Sequence, residues 1–109
     1  MAITYKVLAQ SAPSATTNTD VYTVGSGKQT TISTITVCNR SATAATYRIA
    51  VRPNGATIAN EHYIAYDATV GANDSITWTI GITVDASDVI TVYASTANLS
   101  VNIFGAEIA

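Results

Sequence analysis

The stretch VYTVGSGKQTTISTITVC, from Val21 to Cys38, decides the fold of this chain. Its second half is dominated by threonine, isoleucine and valine, whose branched side chains lose χ1 freedom in a helix and fit a pleated strand. Gly25-Ser26-Gly27 separates this half from a shorter alternating run, as a turn between two strands does. Ile35 and Val37 keep one side-chain phase while Ile32 lies out of phase, which predicts a β-bulge or burial on both faces.

The same glycines and Lys28 resemble a phosphate-binding loop in composition. Such a loop needs a glycine, four further residues and then Gly-Lys-Ser/Thr, followed by a helix whose N-terminus holds the anion. Here Gln29 follows Lys28, and Tyr22 stands where the first glycine is required. The residues after Lys28 also favour a strand, so the sequence argues against a nucleotide site of this type.

Period-2 alternation recurs along the rest of the chain, and turn signals such as RPNG (52–55) and DASD (85–88) separate the alternating runs. The predicted strands are ITYKVLA, VYTV, TTISTITVC, ATYRIAV, EHYIAYD, SITWTIGI, VITVYAS and LSVNIFGAEI. Residues 57–61 alone favour a short helical turn. We therefore expect an all-β fold: a single-domain antiparallel β-sandwich of about eight strands, either jelly-roll or immunoglobulin-like.

The alternation also predicts which side chains form the core. The predicted inward-facing residues are Tyr47, Ile49 and Val51 in ATYRIAV, and Ile76, Trp78, Ile80 and Ile82 in SITWTIGI. Arg48 and Arg52 then point outward.

A chain of 109 residues predicts one domain. We divide it into an N-terminal strand plus polar arm at 1–20 and a β-sandwich domain at 21–109. The arm, Gln10 to Asp20, is too small and polar to order itself by burial. We expect it to order against a neighbouring subunit, carrying the first strand across, so that deleting residues 1–20 weakens assembly more than it unfolds the domain.

Composition points to assembly with other proteins. Hydrophobic residues make up 48% of the chain, but charged residues only 11%, against about 25% in average soluble domains. A surface of small neutral residues loses its water cheaply and repels its own copies weakly. The single cysteine, Cys38, permits no internal disulfide.

Several partner classes are disfavoured. A pI of about 4.9 and five scattered basic residues argue against a nucleic-acid partner, which needs a basic stripe. No apolar run reaches the roughly 20 residues of a membrane span, so we expect no membrane partner. The start MAITYKVLAQ lacks the features of a signal peptide, which predicts synthesis in a cytoplasm.

The sequence offers little for catalysis, and we predict that the chain is not an enzyme and needs no cofactor. His62 is the single histidine, and its neighbour Glu61 is expected to point to the opposite face of a strand. Cys38 is interpreted as a small buried hydrophobe. The aspartates at strand ends are expected to cap turns, with a weak Ca²⁺ site at Asp85 and Asp88 as the alternative.

Aromatic side chains leave two interpretations open. Tyrosines on predicted strands could form a sugar-binding platform, or they could fill the core and interfaces; we favour the second. The strand tyrosines are Tyr22, Tyr47, Tyr63, Tyr66 and Tyr93. The candidate partner-contact residues are Tyr5, Pro13, Arg48, Arg52, His62, Tyr63 and Tyr66.

From Val21 onward the chain resembles small structural proteins of tailed bacteriophages, including those that infect cyanobacteria. The similar pieces are Y-x-V-x-S-G-K, S-T-I-x-V-C-N, A-N-D-S before an apolar strand, V-Y-A-S-T and F-G-x-E-I, in this order. The resemblance implies a virion component without an enzymatic motif.

The resemblance does not by itself say which part of the virion the chain forms. Together with the low charge and the strand-rich pattern, it leads us to expect a non-catalytic capsid decoration, or cement, protein. Its expected partner is the lattice of the major capsid protein, and its expected location is the virion, assembled in the host cytoplasm. We expect a homo-oligomer, with a trimer favoured because it suits local three-fold axes. The alternatives are a tail, baseplate or fibre-associated module and, more distantly, a carbohydrate-binding module.

Overall fold

The computed structural model describes residues 2–109, and these residues form nine strands and two short 3₁₀ turns. The strands are β1 (Ile3–Ser11), β2 (Thr19–Thr23), β3 (Gln29–Asn39), β4 (Ala45–Arg52), β5 (Tyr63–Val70), β6 (Ser75–Trp78), β7 (Ile82–Asp85), β8 (Val89–Ala94) and β9 (Leu99–Ile108). The 3₁₀ turns, Pro53–Gly55 and Asn60–His62, both lie between β4 and β5.

The strands form two antiparallel sheets, which confirms the predicted all-β sandwich. Sheet A has the order β1-β9-β3-β6, with β7 also paired to β3, and sheet B has the order β2-β8-β4-β5. Chain neighbours such as β2 and β3 lie in different sheets. The Gly25-Ser26-Gly27 turn, closed by the Lys28 N–H donating to the Gly25 carbonyl at 3.2 Å, therefore joins the two layers.

The strand count is nine because the expected strand SITWTIGI ends early: only Ser75–Trp78 forms β6, and a separate strand, β7, begins at the last residue of that stretch, Ile82. Both β6 and β7 pair with the same edge of β3, where Trp78 faces Ile35 and Ile82 faces Ile32. The break lies opposite a bulge in β3, and Gly81 adopts a left-handed φ of 57° there. The inward prediction for Ile80 is wrong, since its side chain is 40% exposed.

The bulge predicted from the phase slip in β3 is confirmed. The register between β3 and β9 shifts between Ile32 and Thr34, so Ser33 is the extra residue. Because of this insertion, Ile32 and Ile35 both point into the core and both are fully buried.

Inward-facing aliphatic residues of both sheets form the core. The largest fully buried side chains are Tyr47, Ile32, Ile35, Ile49, Ile90, Leu99, Ile103, Val37, Val70, Val92, Val101 and Asn39. Trp78 is half-buried at the margin, and its indole Nε1–H donates to the Tyr47 hydroxyl at 2.8 Å. This bond satisfies the two polar groups that these large side chains carry into the interior.

The N-terminal segment is part of the same sandwich. β1 pairs with β9 of its own chain, and Leu8 and Ala9 pack against the core. The arm also orders against its own domain, contrary to expectation: the Thr16 N–H donates to the Ala94 carbonyl at 2.7 Å, and Pro13 is buried. The boundary drawn at residue 20 falls inside β2. Backbone hydrogen bonds hold the arm in place, although few of its side chains are buried.

Candidate interaction surfaces

The outer face of sheet A is large and almost uncharged. Alternation from the buried residues places these side chains on it: Ile3, Tyr5, Val7, Gln10, Gln29, Thr31, Ser33, Thr34, Thr36, Cys38, Ser75, Thr77, Thr83, Asp85, Ser100, Asn102, Phe104, Ala106 and Ile108. Asp85, at the end of β7, is the single charged residue among them.

One end of this face is apolar. Ile3, Tyr5 and Val7 are 49%, 82% and 48% exposed on β1, and Phe104 lies beside Val7 on β9. A shallow cleft of about 370 Å³ lies between Tyr5, Phe104 and the β3 bulge. Of these four side chains, only Tyr5 was among the candidate contacts predicted from the sequence.

Sheet B carries a different surface, centred on Arg48. The Arg48 guanidinium carbon lies 4.2 Å from the ring centre of Tyr66 and 4.4 Å from that of Tyr93. Its Nε–H donates to Asp67 Oδ1 at 2.7 Å. The hydrogen bond to Asp67 raises the pKa of Arg48 above its ordinary value. The guanidinium is thus committed to partners within its own chain.

Two further tyrosine contacts bear on the sugar-platform interpretation. The rings of Tyr63 and Tyr66 lie 4.9 Å apart at 86° to each other, beside a shallow cleft with Asn60. Perpendicular rings do not form the flat shelf on which a pyranose would stack. Tyr22 and Tyr47 are buried in the core, as the filler interpretation predicts.

Arg52 ties three strands together. Its Nη2–H groups lie 3.3 and 3.2 Å from the two carboxylate oxygens of Asp20 on β2. Thr91 of β8 lies between these strands and donates its hydroxyl to Asp20 Oδ1 at 2.9 Å. These bonds hold β2 on sheet B, which is a structural role for a residue singled out as a candidate partner contact.

His62 lies in a 3₁₀ turn, not on a strand as predicted. Its Nδ1 accepts the Ala59 backbone N–H at 3.0 Å, and the ring is half-buried. The nitrogen therefore helps to close the turn that leads into β5. Cys38 is half-buried on the outer face of sheet A, so the expectation of a fully buried side chain is wrong.

The aspartates at the β7–β8 turn cap backbone groups, as predicted. Asp88 accepts the Asn54 N–H on one oxygen and the Asp85 N–H on the other, both at 2.8 Å. Asp85 accepts the Ala86 N–H at 2.8 Å. Across residues 2–109, no three His, Cys, Asp or Glu side chains are grouped so that they could hold a metal ion.

In the part of the chain that the structure describes, no helix has the length and apolar character required to cross a bilayer.

A charge cluster around Glu107 joins β1, β2 and β9 with the turn that precedes β3. Glu107 accepts from Lys6 at 2.9 Å and from the Tyr22 hydroxyl at 2.8 Å, and Lys28 lies 3.7 Å away. The bond from Lys6, followed by that from Tyr22, lowers the pKa of Glu107, while burial raises the pKa of Tyr22. No sequence pattern could reveal this cluster, because its members come from opposite ends of the chain.

The candidate contacts therefore fall into three groups. Arg48, Tyr63 and Tyr66 lie together on sheet B, with Asp67 and Tyr93 as partners that sequence analysis did not single out. Tyr5 lies apart on sheet A. Pro13, Arg52 and His62 are engaged within their own chain.

Comparisons with known proteins give no relative: no family model matches the chain, and neither the curated proteins nor the solved structures contain a match.

Proposed function

We propose that this chain is a non-catalytic structural protein of a tailed-bacteriophage virion, acting as a capsid decoration protein that binds the shell through the outer face of sheet A. The observation that carries the proposal is the composition of that face. Its described side chains are threonine, serine, amide and apolar groups, with Asp85 alone charged and placed at the border.

The physical argument concerns the cost of removing water. Charged groups are expensive to bury without partners, whereas hydroxyl, amide and apolar groups form hydrogen bonds or pack when a flat partner surface covers them. Depletion of charge is also the compositional mark of interface centres. The five strands of sheet A offer such a surface without any rearrangement of the domain.

Binding of this kind would stabilise a shell by mass action. A protein that binds the assembled lattice, and not its separated subunits, shifts the equilibrium towards assembly. The major capsid protein is the proposed partner. The likeness of the segments after Val21 to small phage structural proteins supports this assignment, and the location is then the virion.

The copy number in purified particles tests the proposal. Quantitative mass spectrometry of the virion that encodes this chain should find hundreds of copies per particle, in proportion to the capsid subunit. About a dozen copies would instead place the protein in the tail or baseplate, which is the alternative. Its absence from purified particles would overturn both assignments.

A further inference from the structure

The hydrogen-bond phase of β1 shows which of its backbone groups face solvent. Ala2 and Ala109 exchange both backbone hydrogen bonds, at 3.1 and 2.9 Å, so this pair is a hydrogen-bonded pair. Antiparallel pairs alternate between hydrogen-bonded and non-hydrogen-bonded types. By this alternation, the backbone N–H and C=O groups of Thr4 and Lys6 bond to β9. Those of Ile3, Tyr5 and Val7 point away from it.

The open edge is therefore also the apolar edge. The residues with outward-facing backbone groups are those whose side chains are 49%, 82% and 48% exposed on the outer face of sheet A. β1 ends sheet A, and no strand within residues 2–109 pairs with its free side. Every residue from Ile3 to Val7 is exposed, so nothing in the described chain covers this edge.

The usual protections of an edge strand are few between Ile3 and Val7. Proteins blunt such edges with charges, prolines, bulges or short strands. β1 is nine residues long, and its bulge comes only at Leu8. Lys6 is the single charged residue between Ile3 and Ser11, and Glu107 neutralises it at 2.9 Å.

We propose that a second copy of this chain pairs antiparallel with β1, about a two-fold axis at Tyr5. Tyr5 then exchanges two backbone hydrogen bonds with the partner's Tyr5, and Ile3 exchanges two with the partner's Val7. The apolar side chains of both copies form one continuous stripe on the outer faces of the joined sheets.

Other registers are less favourable. An axis at Lys6 would place the two Lys6 side chains directly opposite each other, which is destabilising. An axis at Thr4 would pair Ile3 with the partner's Tyr5 but would place Val7 opposite position 1, outside β1, which begins at Ile3. With the axis at Tyr5, Lys6 lies opposite the partner's Thr4, and all three outward-facing residues are paired.

This inference goes beyond the proposed function and does not depend on it. The pair has two-fold symmetry, in which the same surface is used by both copies. It thus replaces the trimer expected from sequence with a dimer. The chain could form such a dimer whatever larger structure it joins, because the contact uses the edge of the sheet and leaves most of its outer face free.

Sedimentation equilibrium of the full chain and of two charge variants tests the pairing. We expect the unmodified protein to have twice the 11.3 kDa chain mass. Tyr5→Lys and Tyr5→Glu each place like charges opposite one another at the axis, so each variant alone should have the mass of a monomer. Because Tyr5 is 82% exposed, neither change should alter the circular dichroism spectrum.

Mixing the two variants tests the register. Opposite charges at position 5 should restore the dimer mass in the mixture and not in either variant alone. Thr77→Lys is the matched control, because it adds the same charge to an exposed residue of sheet A away from β1 and should remain a dimer. A monomeric or trimeric unmodified protein, a dimeric Tyr5→Lys variant, or a mixture that stays monomeric would overturn the proposal.

Discussion

Gly105 lies where β9 passes between two bulged neighbours, β1 and β3. A Cβ atom at this position would overlap the Thr31 carbonyl oxygen and lie 3.0 Å from Ile32 Cα. Both contacts are with backbone, which cannot rotate away. The requirement for glycine therefore comes from close approach of the β3 backbone and not from an unusual φ.

We expect Gly105→Ala to lower the free energy of unfolding by about 2 kcal/mol or more, since overpacking forces the backbone to shift. Urea unfolding measures this loss. Gly71→Ala is the control, because its nearest neighbours would lie at ordinary contact distances of 3.6 and 3.7 Å. Equal effects of the two substitutions would contradict the packing argument.

Ionisation of Glu107 makes the stability of the fold depend on pH. Its pKa is lowered from 4.5, chiefly by Lys6, so the folded state favours the ionised carboxylate. The stabilisation that the ionised Glu107 gives is complete above the ordinary pKa of a glutamate. It disappears as the pH falls through the lowered pKa of the folded state. We expect Glu107→Gln to reduce the urea midpoint at about pH 6, and to reduce the further drop seen on acidification below about pH 4.

Glu61→Gln provides the comparison for this measurement. It removes the same charge from an exposed residue in the 3₁₀ turn before β5. The acid-induced drop should persist in this variant. If Glu107→Gln lost as much stability on acidification as the unmodified protein does, groups other than Glu107 would be the cause.

At the scale of elements, β1 has two halves with different roles. Up to Val7 it is exposed and presents an open edge; from Leu8 onward it packs against the core and leads into the arm on sheet B. The Leu8 bulge separates the halves, because the extra residue turns both Leu8 and Ala9 inward.

Deletion of residues 2–20 should therefore abolish the cooperative thermal unfolding transition, in place of the weakened assembly expected from sequence. The deletion removes β1, the buried Pro13 and the Asp20 that binds Arg52. Tyr5→Lys, which keeps the strand, should retain the transition. A truncated protein that melts cooperatively at the same temperature would show that β1 is dispensable for folding.

At the scale of the whole molecule, the two sheets present unlike outer faces. The outer face of sheet A is uncharged except at Asp85, whereas that of sheet B carries ion pairs that include Arg48 with Asp67 and Arg52 with Asp20. Charges already paired within the chain would lose hydration on docking and gain no new partner. Sheet A is thus the side from which water is removed more cheaply.

This asymmetry predicts how charge changes affect particle binding. Thr77→Lys on sheet A should reduce co-sedimentation with stripped capsids at least tenfold, because it buries an unpaired charge. Thr69→Lys, an exposed change on sheet B, should bind like the unmodified protein. Loss of binding in Thr69→Lys alone would assign the contact to sheet B.

Local patterns were sufficient for the strands and turns. Alternation and β-branched residues located every strand except β7, and the phase slip at Ile32 located the bulge, since both depend on neighbours in the chain. The same reasoning extended β6 to Ile82 and missed β7, because the break at Thr79–Gly81 lies opposite the bulge in β3, a strand far away in sequence.

The sequence by itself determined eight of the nine strands, the inward phase of most core residues and the scarcity of charge. Only the tertiary structure decided which strand became an open edge, which tyrosines enclose Arg48, and that Lys6 meets Glu107. The reason is physical: side-chain alternation is fixed by the pleat of a single strand, whereas strand order and register depend on contacts between distant segments, which no local pattern encodes.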